Sequence, residues 1–138
     1  MKKLFGFAMV ALCAVCLTGC GSKGNQLKCT GEVNGQKATA TASLDSDKVT
    51  KVVMETVTEA SSKEEAEAGV AMINGMASSF TSEGMTMSAK ANGKKVTATM
   101  TMDISKMKSD DIESELGTTD LTKDAFIEAM KEQGLTCK

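Results

Sequence analysis

Sulfur is where this sequence concentrates its reactive side chains. Five cysteines (Cys13, Cys16, Cys20, Cys29 and Cys137) and 11 methionines stand among 138 residues, with no histidine. The missing imidazole excludes a Ser-His-Asp triad, a Cys-His pair and the commonest zinc ligand. Every one of the 16 basic residues is lysine, so there is no guanidinium fork for phosphate or carboxylate. A net charge of -2 argues against a nucleic-acid partner. Asp110, Asp111, Glu113 and Glu115 cluster, but without EF-hand spacing; they suit the first turns of a solvated helix, where acids complement the dipole. No glycine-rich phosphate loop is present. The usual acid–base and nucleophile partners are absent, so no enzymatic activity is expected.

The first three cysteines sit in an export-type N-terminus. Lys2 and Lys3 precede an uncharged stretch from Leu4 to Leu17. That stretch is shorter than the ~20 residues of a bilayer span and fits the apolar region of a secretory signal. Leu17-Thr18-Gly19-Cys20 then resembles the lipobox of bacterial lipoproteins. The resemblance implies removal of residues 1–19, a diacylglyceryl group on the Cys20 sulfur, and attachment to the extracytoplasmic face of a cell membrane. Cys13 and Cys16 would leave with the signal. Residues 20–26 read as the lipidated cysteine and a flexible linker. Losing Lys2 and Lys3 leaves 14 lysines against 18 acidic residues, a net charge of -4, so attachment would rest on acyl chains. Beyond that covalent lipid no cofactor is expected.

Cys29 and Cys137 are then an even pair in a disulfide-permissive compartment, and a Cys29–Cys137 bridge is expected. It would cross-link almost the whole of a single domain, residues 27–138, whose only aromatics are Phe80 and Phe126.

Two periodicities organise that domain. Leu27 to Val33 alternates apolar and polar residues, Asn34-Gly35 is a hairpin turn, and Ala38, Ala40, Ala42 and Leu44 return on one face. Val49 to Thr58 is a β-branched third strand. Ser62 with Glu65 forms a capping box before a helix carrying Ala66, Val70, Ile73, Ala77 and Phe80. A second hairpin turns at Asn92-Gly93, repeating six of the eight residues that begin at Asn34. Helices follow over Ser109 to Leu116 and Thr122 to Gln133, stopped by Gly117 and Gly134. The expected fold is α+β: two layers, an antiparallel sheet of about five strands with helices packed on one face.

The second hairpin also gathers methionines. An Asn92-Gly93 loop would set Met85 opposite Met100, with Met87 and Met102 on the same face. Clustered thioethers suit Cu(I), and surface methionine takes up oxidant as sulfoxide. Methionine also fills cores where aromatics are scarce, and this face is the one the helices need. No metal site is therefore expected; Met85, Met87, Met100 and Met102 are the alternative set.

The order of features resembles the YehR-like lipoproteins: a lipobox, Lys28-Cys29-Thr30, Lys48 to Val52, a helix, Val96 to Asp103, and a closing Gly134-Leu135-Thr136-Cys137. That resemblance implies an α+β lipid-anchored domain of unknown function with no assigned active site, and its closing cysteine adds weight to the disulfide. The expected function is a non-catalytic, monomeric module of the cell envelope that binds an unknown envelope protein or small ligand. The alternative is a methionine-rich lipoprotein that handles Cu(I) or buffers oxidant.

Overall fold

Strand pairing follows the alternating segments. The computed structural model of the chain describes residues 25–79 and 82–138. In chain order they form β1 (Gln26–Val33), β2 (Gln36–Asp45), β3 (Lys48–Glu59), α1 (Lys63–Ala77), β4 (Met85–Asn92) and β5 (Lys95–Asp103). A 3-10 turn (Ile104–Lys106), α2 (Ser109–Leu116), α3 (Lys123–Glu132) and β6 (Leu135–Cys137) complete the fold. The proposed signal segment and Cys20 lie outside the described residues, as does Phe80.

The sheet has six strands in the order β4-β5-β3-β2-β1-β6, with every neighbouring pair antiparallel. About five were expected. The sixth is β6, three residues too short to carry a period, which pairs with β1 and sets Cys137 opposite Cys29. Those two cysteines form a disulfide across 108 residues of chain.

In-register rows define the buried face. One runs Leu27, Ala42, Val52, Met102, Met85; the next runs Cys29, Ala40, Met54, Met100, Met87. The opposite face holds Lys28, Thr39, Thr41, Thr97 and Thr99. A bulge between Ser43 and Leu44 skips Thr50, so Leu44 pairs with Val49. The extra residue reverses the alternation, which is how Val49 and Val52, three apart, are both buried. Thr50 Oγ1 donates to the Ser43 carbonyl at 3.2 Å within that bulge.

Caps set the helix ends. Ser62 Oγ accepts from the Glu65 N–H at 3.1 Å. The Glu65 carboxylate reaches one residue further back than in a standard capping box, accepting from the Ser61 N–H at 2.8 Å. Thr122 Oγ1 accepts from the Ala125 N–H at 3.4 Å, opening α3. Gly117 and Gly134 end α2 and α3 with φ of 73° and 86°. Ile112 and Leu116 of α2 and Phe126 and Met130 of α3 join Leu27, Cys29, Ala40, Val52 and Leu135 in one buried cluster. The start of α3 is tied to the β2–β3 turn: Lys123 N–H donates to the Asp47 carbonyl at 2.7 Å, and Val49 N–H to the Leu121 carbonyl at 2.8 Å.

Replacing Cys29 and Cys137 together with alanine should cost up to ~4.7 kcal/mol on the chain-entropy account of a loop of about 100 residues. A urea midpoint well below that of the parent protein checks this; an unchanged midpoint would remove the cross-link from the stability argument.

Candidate functional site

The methionines meet on β3, β5 and β4, in a register that differs from the expected one. Met85 lies opposite Met102, and Met87 opposite Met100. The cause is the turn. In the first hairpin Asn34 and Gly35 both take positive φ, 52° and 77°, and form the two-residue loop. In the second only Gly93 does, at 62°, while Asn92 stays in the strand and pairs with Lys95. Glycine at the first loop position is the II′ pattern. The loop carbonyl of Lys94 accepts from the Ala60 N–H at 2.8 Å, which holds it in place. A shift of two keeps every side chain on its face, so the four methionines still share one.

Their burial divides them. Met102 is 0% and Met85 8% exposed, both in the core cluster. Met87 and Met100 are half-buried. Met54 on β3, also half-buried, pairs directly with Met100 and completes a row of three thioethers across adjacent strands. Met54 was not among the sequence candidates, because β3 reads as a β-branched run without alternation; only its pairing with Met100 brings it in.

α1 packs beside this row, against β4 and β5. Asn74 fastens it: Nδ2 donates to the Ala89 carbonyl at 3.3 Å, and Oδ1 accepts from the Ala89 N–H at 2.8 Å. The side-chain amide thus satisfies the free edge of β4 as another strand would. Ala66 is fully buried, and Val70, Ile73 and Ala77 are partly so, as the helical spacing predicts. Met72 and Met76, one turn apart, are 63% and 47% exposed and are the exposed large apolar side chains of the described residues.

Elsewhere the polar groups look local. Asp103 accepts from Ser105 Oγ at 2.6 Å and lies 3.4 Å from Lys106 Nζ, which together hold its carboxyl below the usual range. Asp120 is lowered likewise by the Thr122 N–H, which donates at 2.9 Å. Asp110, Asp111, Glu113 and Glu115 lie along α2, and among the described residues no group of three or more Cys, Asp or Glu converges on a metal position. A cleft of about 410 Å³ opens beside Asn25, Leu44, Asp47 and Lys123, and another of about 350 Å³ beside Gly35, Val57, Glu59 and Lys95. Among the described residues no helix is long and apolar enough to cross a membrane.

No family model matches the chain, and no curated protein matches it. Among solved structures it is similar to the NMR structure of Escherichia coli YehR protein, with a TM-score of 0.65 and 20% identity over 85% of this chain and 92% of that one. It is also similar to the NMR structure of a protein from Streptococcus pneumoniae TIGR4, with a TM-score of 0.48 and 10% identity over 84% and 87% of the two chains. The first likeness shows a YehR-like fold.

Asn74→Ala should leave the Ala89 N–H and carbonyl to water. Two hydrogen bonds at ~1 kcal/mol each predict at least a tenfold faster amide exchange at Ala89, with Val52 unaffected. Equal exchange in both proteins would show that the amide does not hold α1 to the β4 edge.

Proposed function

We propose that the chain is a lipoprotein held by acylated Cys20 at the extracytoplasmic face of a cell membrane. Residues 27–138 would then form one two-layer domain that binds an envelope component or a small ligand without catalysing a reaction. The observation that carries this reading is the Cys29–Cys137 bridge. Such a bond persists in oxidising compartments and is rare in reducing ones. It joins the first and last strands of a domain that follows an export-type segment and Leu17-Thr18-Gly19-Cys20. The YehR-like fold agrees with a resemblance first drawn from the order of sequence motifs.

Burial supports helices on one face. Ala89 and Val96, on the methionine side of β4 and β5, are 6% and 8% exposed, whereas Thr86, Ser88 and Lys90 on the other side are open to water. Phe126 and Met130 of α3 share their cluster with that same methionine-side face.

The tether would also orient the domain. The six residues from Gly21 to Gln26 reach at most ~20 Å. The membrane would therefore lie at the end where β1 begins, beside the β2–β3 turn and the start of α3, since Leu44 N–H donates to the Asn25 carbonyl at 2.9 Å there. The Asn34-Gly35 and Gly93-Lys94 turns would point away.

Metabolic labelling with a radioactive fatty acid tests the anchor. The parent chain should take up label and sediment with membranes. Cys20→Ser should lose both properties while keeping the Cys29–Cys137 bridge. An unlabelled parent chain with an intact Met1 terminus would overturn the proposal.

A further inference from the structure

We propose that Met54, Met87 and Met100 are the donors of a soft monovalent cation site, taking Cu(I) or its redox-inert surrogate Ag(I). The site goes beyond the anchoring proposal and does not rest on it.

Register comes first. Met54, Met100 and Met87 occupy one lateral row on β3, β5 and β4, with Met100 in the middle and paired on both sides. Directly opposed residues have Cβ atoms ~4.5–5.5 Å apart. Methionine has three rotatable side-chain bonds, so three sulfurs from such a row can converge on one point above Met100. The next row offers no equivalent, because Met102 is fully buried and Val52 takes the position beside it.

Access comes second. All three side chains are half-buried, so the row is open enough to be reached and covered enough to shed water. Helical geometry brings α1 to its edge. Asn74 binds the outer edge of β4, and Met72 and Met76, each two residues from Asn74, project about 160° away from it at 100° per residue. They therefore lie on the flank of α1 opposite Asn74, and both are exposed. The two large apolar side chains that the described fold leaves to water are both thioethers of α1.

Chemistry comes third. The disulfide consumes the described cysteines and the chain has no histidine, so thioether is the remaining soft donor. A neutral thioether set prefers Cu(I) and offers nothing to Ca(II) or Mg(II), which take oxygen ligands.

The test uses the full chain carrying Cys13→Ser, Cys16→Ser and Cys20→Ser, so that no thiol competes, with carbon-13 in the methionine methyl groups. Titration with Ag(I) should shift the Met54, Met87 and Met100 methyl signals up to one equivalent and leave Met102 and Met130 in place. Calcium should move none of them. Met100→Leu, which conserves volume, should weaken Ag(I) binding, and Cu(I) binding under ascorbate in competition with a chromophoric chelator, at least tenfold. Met102→Leu should change it less than twofold. An unmoved Met102 methyl signal in the Met100→Leu protein certifies its fold. Shifts confined to Met72 and Met76, no shift at all, or full affinity in Met100→Leu would each overturn the site.

Discussion

One ladder position, Cys29 opposite Cys137, closes this fold. β6 has only three residues and could not hold a sheet edge by hydrogen bonds alone. Its approach to β1 is tight. A Cβ on Gly31 would collide with the Gly134 carbonyl oxygen and sit 3.0 Å from a Leu135 methyl carbon, so the closure needs glycine there. Lys28 and Lys138 then exchange backbone hydrogen bonds of 3.2 and 2.8 Å just past the bridge. Leu135, 2% exposed, carries the end of the chain into the core beneath α3. Bond, glycine and buried leucine act together beside α3, whose Phe126 and Met130 share the buried cluster with Leu27, Cys29, Ala40 and Val52.

That dependence follows from a core poor in large side chains. β2 contributes Ala38, Ala40 and Ala42, all buried. Phe126 is the aromatic residue of the buried cluster, and methionine supplies much of the remaining volume at Met85, Met102, Met107 and Met130. Methionine adapts its shape easily but specifies packing weakly. Definition has to come from elsewhere: the disulfide, the bulge at Thr50, the tight contact at Gly84, and the Asn74 amide on Ala89. At Gly84 a Cβ would lie 2.7 Å from the Asp103 carbonyl oxygen, close to the 2.6 Å hydrogen bond between Asp103 N–H and the Gly84 carbonyl. The two sheet edges are handled differently. β6 is too short to recruit another strand, and β4 is occupied by a helix side chain.

Local chemistry was legible in the sequence and pairing was not. Asn34-Gly35, Ser62 with Glu65, Thr122, Gly117 and Gly134 act where their types predict, because a turn or cap depends on residues within a few positions. Five strands were readable from alternation or β-branched content. The sixth was not, since Leu135-Thr136-Cys137 has no period and is ordered by partners 104 to 108 residues away. The repeated Asn-Gly octets show the limit well. Nearly identical residues give loops at different positions, because Lys94 has a tertiary partner in Ala60 whereas the first loop closes by its own dihedrals. That single difference moved Met100 from Met85 to Met87. Met54 was hidden for a related reason: with Thr50 bulged and valines on both faces, β3 carries no sign of which side its methionine takes.

The methionine row poses a question of placement that packing alone does not answer. A core filler gains by full burial, each buried methylene contributing ~0.8 kcal/mol. Met102, Met130 and Met85 follow that rule. Met54, Met87 and Met100 do not, although alanines beside them such as Ala89 and Ala40 are buried. Met72 and Met76 depart from it further, standing on an α1 that Gly69 and Gly75 already weaken by up to ~1 kcal/mol each relative to alanine. Both glycines face open space, so no neighbour requires them. A helix this loosely invested, fastened to the β4 edge through Asn74, leaves the row half-covered. Thioethers kept half in water cost hydrophobic stabilisation that leucine at the same positions would also forgo; what leucine cannot offer is a lone pair on sulfur. The distinction between these two side chains is therefore chemical, and a soft cation is the ligand that would sense it.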